Sequence, residues 1–438
     1  MSILDRLKSN LDAKPSSEAG KKSVPIGKIK TEHFEFSEFA EYKRFETEQW
    51  YMQKQEYPQI QFLKRLAVSD ATVDLEGREL INYSTYNYLG LAGDARVKQA
   101  AKDAIDTFGT STGSGRSITG EIDIHQAFES ELCEVLGTEA AVLSVGGYST
   151  NTFTIGYLCR PTDVIFYDEL IHNSALSGCQ MTGARRYSFP HNDYDALDRL
   201  LTEHRGKHER SIVLAEGVYS MDGDIPDIPR LIEIKKRHKS LLMVDEAHSM
   251  GIIGPNGLGV TDHFDIDGKD IDIHFGSLSK SFATCGGYVA GAKPLVDILK
   301  HYAPGVLLYG AAPTPANAAA GLEALRIMRA EPERSQRVRD NAAYFIELAK
   351  SCGLDTYQSN GSGVVPIMMP DSEVALWLSV RLFEEGVCSY PMLYPIVPRN
   401  KSRLRFFINT NHTRQQIEKT IELISENLKV APKSKGVF

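Results

Sequence analysis

Five short apolar segments, separated by amphipathic stretches, constrain the fold of this chain more than any other feature of its sequence. The segments cover residues 140–145, 164–167, 212–215, 241–244 and 271–275. Each has the length and composition of a strand buried on both faces of a sheet. The stretches between them, such as 194–204 and 229–238, repeat apolar residues at helical spacing. Strands that alternate with helices predict an α/β fold with a mainly parallel sheet.

The pattern changes beyond residue 314. Two long helical stretches are followed by two apolar segments, at 315–330, 333–351, 364–369 and 403–408. At 438 residues the chain is also long for a single hydrophobic core. The sequence therefore predicts an N-terminal arm over residues 1–60, a large domain over 61–314 and a smaller α+β domain over 315–438.

The predicted arm combines polar and aromatic residues. Residues 1–11 repeat isoleucine and leucine at helical spacing, which predicts one amphipathic helix. Between residues 34 and 51, aromatic side chains alternate with acids, and Phe39, Tyr42 and Phe45 recur at helical spacing. This second pattern predicts a helix that packs on the body of the protein or on a partner subunit, rather than a ligand site.

Composition and charge exclude several classes of protein. A formal net charge of −8 and the lack of any Lys/Arg-rich run argue against a nucleic-acid-binding surface. No apolar stretch approaches the roughly 18 residues of a membrane span, and the N-terminus lacks the apolar core of a signal peptide. Six scattered cysteines show neither a CxxC pair nor metal-ligand spacing. We therefore expect a cytoplasmic protein with reduced thiols and no metal site.

Two polar residues at the ends of predicted strands indicate a cofactor. Lys280 follows a small, hydroxyl-rich turn, and such a lysine can form a Schiff base with pyridoxal phosphate (PLP). Asp245 ends an apolar strand, where its carboxylate can hold a pyridine nitrogen protonated. A lysine after a serine is common on surfaces, and an aspartate after a strand is more often a helix cap. The two residues together, in this order and spacing, favour PLP.

Other residues follow the same strands, at the edge of the sheet where α/β proteins bind ligands. Gly147 opens a predicted helix, and the backbone N–H groups there suit a phosphate, to which Ser277 can add a hydroxyl. Tyr148 and His172 are candidates for covering the cofactor ring, although a lone histidine after a strand is more often structural. Further polar groups near strand ends are Ser220 and His248, of which the second can reach the phenolic oxygen of the ring.

From Tyr83 to Leu428 the chain resembles the α-oxoamine synthases, a group of fold-type-I PLP enzymes. The resemblance rests on short motifs that occur in the same order as in that family. They are Asn87-Tyr88-Leu89-Gly90-Leu91, Gly113-Ser114-Gly115-Arg116, Glu216-Gly217-Val218-Tyr219-Ser220-Met221-Asp222-Gly223-Asp224, Asp245-Glu246-Ala247-His248-Ser249, Ser279-Lys280 and Arg403-Leu404-Arg405. These matches imply a fold-type-I PLP-dependent transferase, with a mainly parallel sheet in the large domain and a smaller α+β C-terminal domain.

The resemblance also implies a role for each candidate residue. Lys280 would carry the cofactor and act as the base, and His172 would stack on the pyridine ring and help to polarise the acyl carbonyl. The other cofactor contacts would be Asp245 at the ring nitrogen, Gly147, Tyr148 and Ser277 at the phosphate, and Ser220 and His248 at the phenolic oxygen. Asn87 and Arg405 are expected to bind the substrate, Arg405 through the amino-acid carboxylate.

The implied reaction condenses glycine, alanine or serine with an acyl thioester, which gives an α-amino ketone, CO2 and a free thiol. The acyl carrier is CoA or an acyl carrier protein, and the working unit is a homodimer. Two alternatives remain, which are another fold-type-I enzyme such as an aminotransferase and a non-catalytic subunit. Lys280 argues against the second, because the non-catalytic subunits of the family lack that lysine.

Two positions depart from the family pattern. Ala311 stands where many members have a serine or threonine whose hydroxyl reaches the phosphate of the other subunit, and alanine cannot donate that bond. Ile396 replaces a usual threonine and disfavours a short dicarboxylic acyl group. The arm is also longer than in the simplest members, as in versions that take acyl groups from carrier proteins.

Overall fold

The computed structural model describes residues 25–433, apart from 395 and 399. The helix predicted over residues 1–11 lies outside this range. Compact packing divides the chain between Gln59 and Ile60. Among the described helices, none combines the length and the apolar character that crossing a membrane requires.

The described strands and α-helices follow one another from Ala40 to Lys429. The strands are β1 (Thr72–Leu75), β2 (Arg78–Asn82), β3 (Ala140–Ser144), β4 (Val164–Asp168), β5 (Arg185–Phe189), β6 (Ser211–Glu216), β7 (Leu241–Asp245), β8 (Ile273–Ser277), β9 (Gly287–Gly291), β10 (Val364–Met368), β11 (Val387–Cys388), β12 (Tyr390–Met392) and β13 (Arg403–Phe407). The helices are α1 (Ala40–Lys54), α2 (Ala95–Phe108), α3 (Asp123–Leu136), α4 (Gly147–Leu158), α5 (Asn173–Met181), α6 (Tyr194–His204), α7 (Ile228–His238), α8 (Val260–Phe264), α9 (Lys293–Tyr302), α10 (Pro315–Ala330), α11 (Glu333–Ser351), α12 (Ser372–Glu384) and α13 (Arg414–Lys429).

The central sheet has seven strands in the order β3-β9-β8-β7-β6-β4-β5. All are parallel except β9, which runs antiparallel to both of its neighbours. Alternate residues of β6 enter two different cores, because Val213 and Ala215 face one side of the sheet while Ile212 and Leu214 face the other. The α/β fold with a mainly parallel sheet is thus confirmed, and burial on both faces explains the apolar segments.

Two strands of this sheet were not predicted from the sequence. β9 has glycine at both ends, which weakens the strand pattern. β5 lies at the edge of the sheet, and its residues Arg185, Arg186 and Ser188 are exposed. An edge strand with polar side chains lacks the apolar signal that revealed the central strands.

The carboxyl ends of the parallel strands bring polar side chains to one edge of the sheet. Asp168 ends β4, Glu216 ends β6, Asp245 ends β7 and Ser277 ends β8. Glu216 and Asp245 are directly opposite each other in the register of β6 and β7. A ligand site is expected at this edge, since the helices that follow the strands begin there.

A smaller antiparallel sheet, in the order β10-β13-β12, lies in the C-terminal part of the chain. Phe345 of α11 packs on Phe406 of β13 with 5.0 Å between ring centroids, and Tyr83, which follows β2, packs on both rings. β2 also pairs with β11. We propose that residues 61–314 and 315–438 form the large and small domains, with Ile81 of β2 packed into the core of the small one.

We expect Gly223→Ala to lower the free energy of unfolding more than Gly77→Ala does. Both glycines have positive φ, 73° and 86°, so each alanine carries roughly 1–2 kcal/mol of backbone strain. A Cβ on Gly223 would in addition collide with the carbonyl oxygen of Val364 in β10, whereas no atom lies within 4 Å of a Cβ on Gly77. Urea denaturation of the two variants measures the difference, and equal losses would contradict the close approach of this turn to β10.

Candidate active site

A cavity of about 260 Å³ opens at the carboxyl edge of the central sheet. All the site residues predicted from the sequence line it, with the exception of Asn87. The lining residues of this set are Gly147, Tyr148, His172, Ser220, Asp245, His248, Ser277, Lys280 and Arg405. The strand order brings these distant segments together. Tyr86, Glu216 and Met221 are among the further residues that line the same cavity, and no sequence pattern gave them a role in the site.

Asn87 lies outside this cavity. Its side-chain Nδ2 donates to the carbonyl of Ser69 at 3.0 Å, and its Oδ1 accepts from the backbone N–H of Ala92 at 3.1 Å. Asn87 lines a second cavity of about 380 Å³, which shares Tyr86 and Lys280 with the first. The contact predicted between Asn87 and the substrate therefore stays a prediction, and it would have to be made from the second cavity.

Asp245 is buried at the end of β7. Its carboxylate accepts hydrogen bonds from the backbone N–H of Ala247 and from Nδ2 of Asn151, both at 3.0 Å. Burial raises the pKa of Asp245 to about 6, although the positive charge of Lys280 and these two donors oppose the rise. A buried carboxylate oriented in this way suits a positively charged N–H group in the cavity.

Lys280 lies in the turn between β8 and β9, and its Nζ is 5.7 Å from the centroid of the Tyr86 ring. Burial lowers the pKa of Lys280, while the carboxylates of Asp245 and Glu216 oppose that shift. A lysine with a lowered pKa holds a larger fraction of neutral amine. Such an amine can form a Schiff base or take a proton from a substrate.

The two histidines of the cavity are neutral near pH 7. His172 caps α5, and its Nδ1 accepts from the backbone N–H of Ser174 at 3.2 Å. Burial lowers the pKa of His172 to about 4, with help from the charges of Lys280 and Arg405. Burial lowers the pKa of His248 well below its ordinary value, and its Nδ1 lies 2.8 Å from the hydroxyl of Tyr88. Neutral rings can stack or form hydrogen bonds here without adding charge.

Gly147 and Ser277 meet at the first turn of α4. A Cβ on Gly147 would lie 2.6 Å from Oγ of Ser277, so any larger residue at this position would collide with that hydroxyl. The Ser277 hydroxyl also lies 2.8 Å from the hydroxyl of Ser279. Backbone N–H groups at a helix start, next to two hydroxyls, fit the phosphate of PLP.

Arg405 of β13 enters the cavity from the small sheet. Its Nη1 donates to the carbonyl of Ser220 at 2.9 Å, and its buried Nε has no hydrogen-bond partner in the part of the chain that the structure describes. No carboxylate of the described residues lies within ion-pair distance of Arg405, in contrast to its neighbour Arg403, which pairs with Asp222. A buried guanidinium in this state is ready to bind the carboxylate of a ligand.

A buried ion network holds the turn that supplies Ser220 to the cavity. Nδ1 of His191 lies 2.9 Å from Oδ1 of Asp168, and its Nε2 lies 3.1 Å from Oδ2 of Asp224. His191, Asp222 and Asp224 place ligand atoms within 4.8 Å of one another, as a metal site would. The ion pairs of these residues, including that of Asp222 with Arg403, account for the arrangement. No sequence pattern pointed to His191.

Three comparisons with known proteins agree with this geometry. A family model described as aminotransferase class I and II matches residues 78–424. The 8-amino-7-oxononanoate synthase of Symbiobacterium thermophilum is 39% identical over 347 residues, which are 79% of this chain and 88% of the relative. Serine palmitoyltransferase from S. paucimobilis, solved with a bound PLP–myriocin aldimine, superimposes with a TM-score of 0.83 at 27% identity, over 89% of this chain and 98% of that one. The 8-amino-7-oxononanoate synthase of Francisella tularensis gives 0.70 at 27% identity, over 80% and 98%.

The chain belongs to the class I and II aminotransferase family of fold-type-I PLP enzymes. Within that family it is an α-oxoamine synthase, an acyltransferase that condenses a small amino acid with an acyl thioester and releases CO2 and a thiol. PLP is its cofactor. The relatives do not favour the aminotransferase alternative.

We expect the His191 network to make stability fall with rising pH. Burial alone would lower the pKa of His191, but hydrogen bonds with Asp168 and Asp224 outweigh it and raise the pKa to about 10. The stabilisation is complete below the ordinary pKa near 6.5 and is lost as pH rises through about 10. In this window the free energy of unfolding should fall by at most about 1.4 kcal/mol per pH unit.

Unfolding free energies measured from about pH 7 to pH 10 test this expectation. His191→Gln should remove much of the slope, whereas His208→Gln should keep it, because His208 forms no ion pair among the described residues. If the His191 variant follows the wild-type slope, the charge of His191 does not bind the two aspartates.

Proposed function

We propose that the residues of the first cavity bind PLP and the amino acid in the arrangement that the family resemblance implies. The observation that carries the proposal is that buried Lys280 and Asp245 share a cavity with Arg405, a buried cation without a carboxylate partner among the described residues. The proposed contacts are Gly147, Tyr148 and Ser277 with the phosphate, Asp245 with the ring nitrogen, His172 with one ring face, and Ser220 and His248 with the phenolic oxygen. Lys280 would hold the cofactor.

Four side chains would then perform the steps of the reaction. PLP, when bound, supplies the electron sink for negative charge at Cα of the amino acid. Lys280, once the amino acid has released it from the cofactor, would take the Cα proton, since its lowered pKa favours the neutral amine. Asp245 would keep a proton on the ring nitrogen. Arg405 holds the carboxylate, and neutral His172 donates a hydrogen bond to the acyl carbonyl as charge develops there.

The substrates are proposed as classes. Glycine, alanine and serine fit a cavity that already has to hold the cofactor and is lined by Tyr86 and Met221. The second cavity would receive the acyl thioester, because it reaches Lys280 from another side and is lined by hydroxyl groups, among them those of Ser84 and Thr85. CoA and an acyl carrier protein are both proposed as carriers.

We expect the purified holoenzyme to release CO2 and free thiol from one of these amino acids and an acyl thioester. Lys280→Ala should lose turnover and visible cofactor absorbance while keeping its thermal unfolding transition, because Lys280 lines the cavity rather than a hydrophobic core. Borohydride reduction and peptide mapping should place the cofactor on Lys280 of the wild-type chain. Transfer of the amino group without CO2 or thiol release would overturn the proposal.

We also propose that the working unit is a homodimer. Large apolar side chains are exposed in residues 60–433, among them Ile118 at 78%, Tyr302 at 64% and Tyr309 at 90%. Phe36 of the arm is exposed at 81%. So much apolar surface is typical of a protein that contacts another chain. An acyl carrier protein is a second proposed partner, supported only by the length of the arm.

Deletion of residues 1–52 should weaken dimerisation or the use of the acyl donor, because the deletion removes the exposed aromatic residues of the arm. Sedimentation measures the first effect, and KM values for acyl-CoA and for an acylated carrier protein measure the second. Cofactor absorbance is the control, since Lys280 and Asp245 remain in place. An intact chain that is active and loaded with cofactor as a monomer would contradict the homodimer, and a fully active truncated dimer would contradict a role for the arm.

A further inference from the structure

Glu216 is a second acidic group in the cavity, for which the mechanism above has no use. It is the last residue of β6, lies opposite Asp245 in the strand register and is 2% exposed. Both carboxyl groups line the same cavity as Lys280. The position of Glu216 at a strand end therefore places two buried carboxyl groups side by side.

The two carboxyl groups differ in their hydrogen bonds. Asp245 accepts from the backbone N–H of Ala247 and from Nδ2 of Asn151. Glu216 accepts one bond, from the backbone N–H of Ser220 to Oε2 at 3.2 Å, and its buried Oε1 has no partner in the described part of the chain. An ionised carboxylate needs donors on both oxygens when it is buried, whereas a protonated one needs fewer.

The charges around Glu216 come from several elements. Asp168 ends β4, Asp245 ends β7, Lys280 follows β8 and Arg405 lies on β13. Asp168 is engaged by His191, so Asp245 is the acidic neighbour within the cavity. Burial and then the charge of Asp245 raise the pKa of Glu216 well above its ordinary value, and the opposing charge of Lys280 does not reverse this. Two adjacent buried carboxyl groups favour a state in which only one is ionised.

We infer that Glu216 carries a proton in the working enzyme, beside the ionised Asp245. Glu216 is then a positioning residue, because its neutral carboxyl group leaves Asp245 as the single anionic carboxyl group of this strand pair. The inference deepens the proposed function and rests on it for the place of the cofactor, but the protonation state of Glu216 can be measured independently.

The first test is infrared difference spectroscopy of the holoenzyme at neutral pH. Wild-type protein should show the carbonyl stretch of a protonated carboxyl group, the band should shift when glutamate is labelled with carbon-13, and Glu216→Gln should remove it. The label separates Glu216 from Asp245 and works in the wild-type chain even if the variant does not fold. Absence of a glutamate-sensitive band would overturn the inference.

The second test is the pH titration of visible cofactor absorbance. Replacing a charged side chain beside the cofactor changes the midpoint of this titration, whereas replacing a neutral one changes it little. Glu216→Gln replaces one neutral group by another, so the midpoint should move by less than about 0.3 unit. The matched variant Asp245→Asn removes a charge, so its midpoint should shift by at least about one unit. A comparable shift in Glu216→Gln would show that Glu216 is ionised and would overturn the inference.

The two tests separate this inference from the proposed function. If Lys280 does not hold PLP, the visible absorbance will not depend on Lys280, and the proposed function fails. The infrared band of Glu216 would still be present in that case, because it depends only on the burial of Glu216 and on its neighbour Asp245.

Discussion

The desolvation of ionisable side chains at the carboxyl edge of the parallel sheet is the constraint on which the rest of the site depends. Asp245, Glu216 and Lys280 end or follow strands of the central sheet. Burial raises the pKa of the two carboxyl groups and lowers the pKa of the lysine, so it favours the neutral form of each. Each remaining charge therefore needs a partner close by. Asn151 and the Ala247 N–H stabilise the carboxylate of Asp245, while the buried Nε of Arg405 has no hydrogen-bond partner among the described residues.

The central part of the fold could be predicted because its strands are buried on both faces. Such strands appear in the sequence as uninterrupted apolar segments. Polar residues that end or follow them, such as Asp245 and Lys280, mark the edge where the cavity lies. Pattern alone could not reveal β9 or β5, since the first is bounded by glycine and the second is exposed. Their positions depend on pairing with distant strands, which no local pattern records.

The candidate site shows the same limit. Residues with distinctive chemistry at strand ends were found, and Arg405 required the family resemblance, because it lies on a strand of the small sheet far away in sequence. Asn87 was assigned to substrate from its motif, yet its side chain binds backbone groups outside the first cavity. Glu216 occupies a strand end like Asp245, so its position was the available signal. His191 became visible only when its contacts with Asp168 and Asp224 were known.

The two arginines of β13 both donate to main-chain oxygen atoms in the turn after β6. Arg405 donates to the carbonyl of Ser220, and Arg403 donates to the carbonyl of Met221. Every amino acid offers the same carbonyl group, so exchanges of the Ser220 or Met221 side chain leave these anchors in place. Selection can therefore alter the shape of the cavity at Met221 while both main-chain bonds remain, which gives descendants of this chain a route to new amino-acid preferences through single mutations.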